Sequence, residues 1–275
     1  MQKRIKAKER NTMVRGTYIA GTGMLLQRRM METITNNITN VETAGYKKEH
    51  LVSHSFDEVL IHRINDEHVL GQRIIIKPSW NLDKAPRVGP LNLGTQVDQL
   101  YINYETGSFD GTERATDLAL VGDVFFVVQT NEGERYTRSG AFYVDEAGYL
   151  TDGEGHFLLG ENGPIYVGGL NFTVDELGSV FVGGEFTDTI RVVSFEDNLS
   201  LRKQGSNLYY SLTEPLPEAD AHKIMQGFLE MSNVDIGREM VDMLTVYRAY
   251  ESNQKMLTMI DETFGRAVND IGRLR

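Results

Sequence analysis

Apolar residues recur at helical spacing near both ends of the chain and at strand spacing in its middle. Near the start, Ala20, Met24, Gln27, Met31, Ile34, Ile38 and Val41 fall four and three residues apart, a heptad seam with one polar position. Near the end the seam is longer: Met240, Met243, Tyr247, Tyr250, Gln254, Leu257, Asp261, Phe264, Val268 and Ile271, interrupted by Gln254 and Asp261. All six prolines lie between Pro78 and Pro217, so neither end carries a helix breaker. The pattern predicts two long terminal helices. Asn233 or Asp235 would cap the second, with Glu239 in its first turn complementing the helix dipole.

Between the ends the texture changes. Residues 101–200 hold 15 of the 27 glycines, interleaved with the short β-prone runs Val124–Val128, Ala141–Val144 and Ile190–Val193. Turn signals separate these runs at Asn131-Glu-Gly133, Asp145-Glu-Ala-Gly148, Thr151-Asp-Gly153 and Glu161-Asn-Gly163. This reads as an irregular all-β domain of short antiparallel strands, a sandwich or partial barrel. Residues 46–100 are less regular: a Phe56–Leu60 cluster precedes polar, histidine-bearing sequence and then Pro78, Pro86 and Pro90. They read as an extended connector. The fold class is therefore α+β, with helical ends that form a coiled-coil-like assembly domain around a central β domain.

A heptad seam needs a partner. Either the two terminal helices pack on each other as an antiparallel hairpin, or they share their seams with neighbouring copies. An isolated two-helix seam buries little apolar surface, which favours sharing.

Charge is unevenly placed. Residues 101–200 carry 18 acidic residues against 4 arginines and no lysine, whereas the whole chain sums to −11. An acidic centre repels phosphate, so nucleic acid is not an expected partner; the acidic surface keeps the domain soluble. No apolar run approaches membrane-spanning length, so membrane insertion is not expected. The first ten residues are basic, but two glycines and Thr22 break the apolar stretch that follows, and Gln27-Arg28-Arg29 stands where a cleavage site would fall. A cleaved secretory signal is not expected. The absence of cysteine excludes disulfides and thiolate chemistry.

Candidate chemistry is thin. His50, His54, His62 and His68 form the one tempting metal cluster, with Asp57 and Glu58 nearby, but His50 and His54 would suit zinc only on a helix, and no HExxH is present. Gly21-Thr-Gly23 lacks the strand, third glycine and Lys-Ser/Thr of a phosphate loop; two glycines in a helix suit close helix approach instead. Nothing selects a glycosidase pair among the carboxylates, and no Gly-x-Ser-x-Gly elbow occurs. No catalytic residue, metal site or cofactor is expected.

Three groups of residues occur in the order of a known family. The first is Ile34-Thr-Asn-Asn-Ile-Thr-Asn-Val41 with Thr43-Ala-Gly-Tyr-Lys47 and Phe56. The second is Thr106-Gly107, Asp117-Leu-Ala-Leu-Val-Gly122, Phe125-Phe-Val127, Tyr136-Thr-Arg-Ser-Gly-Ala-Phe142 and Gly148-Tyr-Leu150. The third is Gln226-Gly-Phe-Leu-Glu-Met-Ser-Asn-Val234 with Glu239-Met240 and Arg248-Ala-Tyr-Glu251. Over nearly its whole length the chain resembles the flagellar basal-body rod proteins of the rod–hook family. It departs from them at Val124, where a second glycine is usual, and at Thr116, where leucine is usual. Asp261-Glu262 and Gly265-Arg-Ala267 are more similar to the proximal than the distal rod member, and the short β region argues against a hook protein.

The resemblance implies a structural subunit of the basal-body rod, exported unfolded by the flagellar type III apparatus without a cleaved signal. Its partners would be itself and other flagellar axial proteins. Ordering of the terminal helices on assembly would be offset by seam burial, and contacts that do not close into a ring give an open helical shaft. Five segments follow: a basic extension 1–12, an N-terminal assembly helix 13–45, a connector 46–100, a β-rich domain 101–215 and a C-terminal assembly helix 216–275. Met24, Met31, Ile34, Ile38, Met240, Met243, Tyr247, Leu257 and Phe264 are the expected seam residues. Asn37 and Asn40 are expected to bond backbone where the first helix ends, with Gly45 allowing the turn out. Rival readings are a carbohydrate-active enzyme, which needs two carboxylates facing across a cleft, and a binding module displayed on a coiled coil, whose helices fold without self-assembly.

Overall fold

The structure, a computed structural model, describes residues 2–57, 59–62, 87–92, 94–196, 198–205, 207–211, 213, 215–217 and 222–272. Side chains of residues 2–14, 59–62, 87–91, 199, 217 and 271–272 are outside the description. Glu58, His68, Pro78 and Pro86, which figured in the reading of residues 46–100, lie outside the described residues, and His62 is described by its backbone alone.

Helix α1 spans Gln2–Thr39 and helix α2 spans Ile236–Gly272. Between them run β1 (Glu49–Ser55), β2 (Val59–His62), β3 (Arg87–Leu91), β4 (Thr95–Ile102), β5 (Phe109–Gly111) and β6 (Leu118–Val121). Next come β7 (Phe125–Thr130), β8 (Gly133–Thr137), β9 (Tyr143–Val144), β10 (Leu150–Thr151) and β11 (Phe157–Leu158). Then follow β12 (Phe172–Val174), β13 (Ser179–Val182), β14 (Glu185–Thr189) and β15 (Val192–Ser194). The last are β16 (Leu201–Gln204), β17 (Leu208–Ser211), β18 (Leu216–Pro217), β19 (Lys223–Gln226) and β20 (Phe228–Glu230). The class is α+β, as the patterning predicts.

The chain divides into two compact units. The first comprises residues 1–31, 51–99 and 245–275. In it α1 and α2 pack antiparallel. Gly16 faces Ile260 and Gly23 faces Asn253, a step of one heptad on each helix in opposite directions. A Cβ at Gly23 would stand 2.8 Å from Asn253 Nδ2, while one at Gly21 meets nothing, so only Gly23 of the pair serves close approach. Asn253 Nδ2 donates to Gln27 Oε1 at 2.9 Å, pairing the polar positions of the two seams. Phe56 packs its ring against Tyr18 at 6.3 Å, and its amide donates to Gly94 O at 3.0 Å.

Residues 46–100, read as an extended connector, carry β1, β2, β3 and β4, in the ribbons β1–β4 and β2–β3. The Glu-His-Leu-Val-Ser-His-Ser sequence of β1 has no clean alternation of apolar and polar residues, so main-chain pairing there leaves little trace in the sequence. His50 and His54 sit on this strand, which removes the helical premise of the zinc pair. Among the described residues no group of three His, Asp or Glu is placed to hold a metal, and no helix is long and apolar enough to cross a membrane.

The second unit comprises residues 32–50 and 100–244. Its largest sheet joins β16-β17-β8-β7-β11-β10-β9, with β15 bridging β7 and β18. Strand β7 explains the unbroken apolar run Val124–Val128. Val124, Phe126 and Val128 enter one core cluster with Phe142 and Leu150, while Phe125 and Val127 enter a second with Tyr136, Phe195 and Tyr209. Successive side chains point to opposite faces, and both faces are buried. Each buried phenylalanine contributes on the order of 1.5–3 kcal/mol. The turn at Asp145–Gly148 closes as expected, Gly148 N donating to Asp145 O, whereas the turn signalled at Thr151–Gly153 closes two residues later, Gly155 N donating to Asp152 O. The C-terminal helix begins later than residue 216. The intervening β19 pairs with β6 and β20 with β5, and the first turn of α2 is capped by Asp235, whose Oδ1 accepts from Gly237 N and Arg238 N.

Candidate functional site

The residues just beyond α1 turn back on the helix, and the reversal depends on Gly45. Its φ is +68°, a region that favours glycine. An added Cβ would collide with the backbone at Arg138 and Ser139. Its amide donates to Glu230 O at 2.7 Å. Asn40 steadies the end of α1, its Nδ2 donating to Asn36 O at 2.8 Å.

The returning segment brings Tyr46, Lys47, Lys48 and Glu49 against Asn37, whose residue is 1% exposed. Asn37 Oδ1 accepts from the Tyr46 hydroxyl at 3.1 Å and from Glu49 N at 3.0 Å. Its Nδ2 donates to Glu49 O at 2.9 Å and to Glu239 Oε2 at 3.2 Å. All four hydrogen-bonding capacities of the amide are used. Asn37 is therefore a cross-link between chain segments as well as a brace at the helix end.

Beside it lies a buried ionic cluster. Lys47 and Glu230, each 1% exposed, pair at 2.6 Å. Lys47 Nζ also donates to Glu105 O at 2.7 Å, and Glu230 Oε1 accepts from Gly107 N at 3.1 Å. Arg138 Nη1 approaches Glu230 Oε2 at 3.4 Å, its Nη2 donates to Gly122 O at 2.6 Å, and its guanidinium stands 5.2 Å from the Phe125 ring centroid. Burial pulls the Lys47 and Arg138 pKa values down, and the Glu230 carboxylate works against that in both cases. Burial, with Glu49 and Glu239 close by, pushes the Tyr46 hydroxyl well above the ordinary tyrosine value. Two further ion pairs, Lys48–Glu239 and Lys203–Glu49, flank the cluster. Asn233 ties the edges together, its Oδ1 accepting from Lys48 N at 2.8 Å and its Nδ2 donating to Asn103 O at 2.9 Å. Every cation here has a carboxylate, and the arrangement serves cohesion.

The signatures from the two ends of the sequence meet in this cluster. Three family models match the chain: "Flagella basal body rod protein" over residues 18–47, "Flagellar hook protein FlgE/F/G D1 domain" over 119–182, and "Flagellar basal body rod FlgEFG protein C-terminal" over 225–270. The hook-basal body complex protein FlhO of Bacillus subtilis is 31% identical, covering 95% of this chain and 100% of that protein. The chain belongs to the flagellar basal-body rod family. Other relatives are the rod protein FlgG of Bacillus subtilis, 31% identical over 94% of this chain and 99% of its own, and FlgF of Caulobacter vibrioides, 33% identical over 94% and 98%.

In rod-family terms, the matched N-terminal stretch ends at Lys47 and the matched C-terminal stretch opens just before Glu230, so the Lys47–Glu230 pair joins the two. Of the expected seam residues, Met24, Met31, Ile34 and Ile38 on α1 are half-buried, as are Met243, Leu257 and Phe264 on α2. Met240 and Tyr247 are 53% and 50% exposed. Half-buried positions of α2 include Met243, Val246, Tyr250, Asn253, Leu257, Ile260, Phe264 and Ala267, which alternate by three and four, with Ala249 and Glu251 half-buried beside Tyr250. The expected seam shares every second position with it. The neighbouring stripe chosen from periodicity carried Gln254 and Asp261, whereas the observed one carries only Asn253, which finds Gln27. The poorer polar count of the second stripe was the available signal.

Sequence reasoning missed Tyr46, Lys47, Lys48, Glu49, Arg138, Lys203 and Glu230 as members of the cluster. Tyr46, Lys47, Arg138, Glu230 and Asn233 all lie in the quoted motifs, but spacing along the chain does not show that distant motifs meet.

Proposed function

We propose that this chain is a structural subunit of the bacterial flagellar basal-body rod. It leaves the cytoplasm unfolded through the flagellar type III apparatus and joins the helical axial shaft through its terminal helices, beside other axial proteins. Its role is mechanical rather than catalytic. The observation that carries the reading is the convergence of both terminal signatures on one buried cluster, in a chain similar over almost its full length to rod proteins. A cluster of this kind ties the helical ends to the β domain, so that torque taken up by one passes to the other. Met24, Met31, Ile34, Ile38, Met243, Leu257 and Phe264 hold the helices together, and Met240 and Tyr247 face the neighbouring subunit.

A hook-type axial protein is the second reading, favoured by the hook–basal body name of one relative. Mass spectrometry of purified hook–basal bodies, before and after removal of the hook, tests both. The rod reading requires the chain to remain with the hookless basal body. Loss with the hook supports the second reading, and absence from both preparations overturns the proposal.

A further inference from the structure

The second unit is closed by residues 223–239, which come from the far end of the chain. Ile224 enters the main core, and β19 completes β6 over four residue pairs, Lys223 with Val121 to Gln226 with Leu118. Gln226 braces two separate segments: its Nε2 donates to Ala115 O at 2.8 Å and to Phe172 O on β12 at 3.3 Å, and its Oε1 accepts from Val174 N on the same strand at 3.0 Å. Glu230 supplies the carboxylate for two buried cations, Lys47 and Arg138, and Glu239 supplies a carboxylate to Asn37 and Lys48. Without this segment the β domain would have to bury an ammonium and a guanidinium with no interior carboxylate beside them, because the remaining acid near Arg138, Asp123, is 62% exposed. Desolvation of an unpaired charge is costly against the marginal stability of a domain.

We propose that residues 223–239 gate folding: the second unit holds no native β core until this segment docks. The alternative is that local hairpins such as β7–β8 and β16–β17 fold first and the terminal segment adds later. Gating means that a chain released N-terminus first stays unfolded until its last part is free. Its benefit for passage through an export channel rests on the function proposed above; the gate itself does not.

Pulse-labelled hydrogen exchange during refolding of the full-length chain separates the two. Leu159 N, which donates to Val127 O, and Arg191 N, which donates to Leu159 O, report on the β core. Gly45 N, bound to Glu230 O, and Met231 N, bound to Ser108 O, report on closure. Gating predicts that all four amides gain protection in one kinetic phase, and that Glu230→Gln slows that phase by about three hundredfold while changing the unfolding rate less than about threefold. Protection of Leu159 and Arg191 in a phase preceding Gly45 and Met231 overturns it, as does a Glu230→Gln effect confined to the unfolding rate. If Glu230→Gln does not refold, the wild-type phases alone decide.

Discussion

Asn37 and Glu239 stand 202 residues apart in sequence and share a buried hydrogen bond of 3.2 Å. Through it the last turn of α1 is joined to the first turn of α2. Replacing Asn37 with Ala removes four hydrogen bonds and leaves Tyr46 OH and Glu49 N without their acceptor. The expected cost is about 2–4 kcal/mol. A lowered urea midpoint with unchanged slope is the result to look for, and Asn37→Asp, which sets a carboxylate beside Glu239, should cost at least as much.

Alkali should unfold the protein by a specific route. The Tyr46, Tyr104, Tyr136 and Tyr209 hydroxyls are all raised, chiefly by burial. The unfolded chain loses these protons near pH 10 while the folded chain keeps them, so the native state binds more protons and stability falls as pH rises above about 10. Four such groups give a slope of up to about 5 kcal/mol per pH unit. Lys47, whose folded pKa lies below the ordinary lysine value of about 10.5, acts in the opposite sense below that pH, so the fall steepens above it. Tyr104 OH is buried without a hydrogen-bond partner. Tyr104→Phe should therefore be neutral or stabilising by about 1 kcal/mol at pH 7 and should reduce the alkaline slope by about a quarter, as read from urea titrations at several pH values.

Ile34→Asp and Leu257→Asp each place a carboxylate on a half-buried seam position. Both variants should keep the near-ultraviolet signal of the β domain and should be missing from purified basal bodies. Normal incorporation of either would remove that residue from the assembly seam.

The patterning made the terminal helices legible, because prolines are absent there and heptads repeat long enough to be seen. The Val124–Val128 run was legible as a strand for the same kind of reason: five apolar residues between turns leave few choices. Residues 46–100 were not, since the ribbon formed by β1 and β4 is held by main-chain pairing and its side chains are largely exposed. For the site, Asn37 stands out in the sequence, but its bonds to Tyr46 and Glu239 do not. An asparagine that braces its own helix end and one that cross-links distant segments have the same local sequence. Likewise the two glycines at 21 and 23 look equivalent, yet only Gly23 meets α2, because helix rotation and not composition decides which side faces the partner.

The most direct test of the joined termini is a double-mutant cycle on Lys47 and Glu230, measured by urea unfolding. Glu230→Gln should cost about 3–5 kcal/mol, since it leaves Lys47 and Arg138 buried without an interior carboxylate, and Lys47→Met should cost less, because Arg138 stays 3.4 Å from Glu230. Together they should cost less than their sum by about 2 kcal/mol or more. Additivity within about 0.5 kcal/mol would mean that the two signatures do not meet in the folded chain, and would contradict the account.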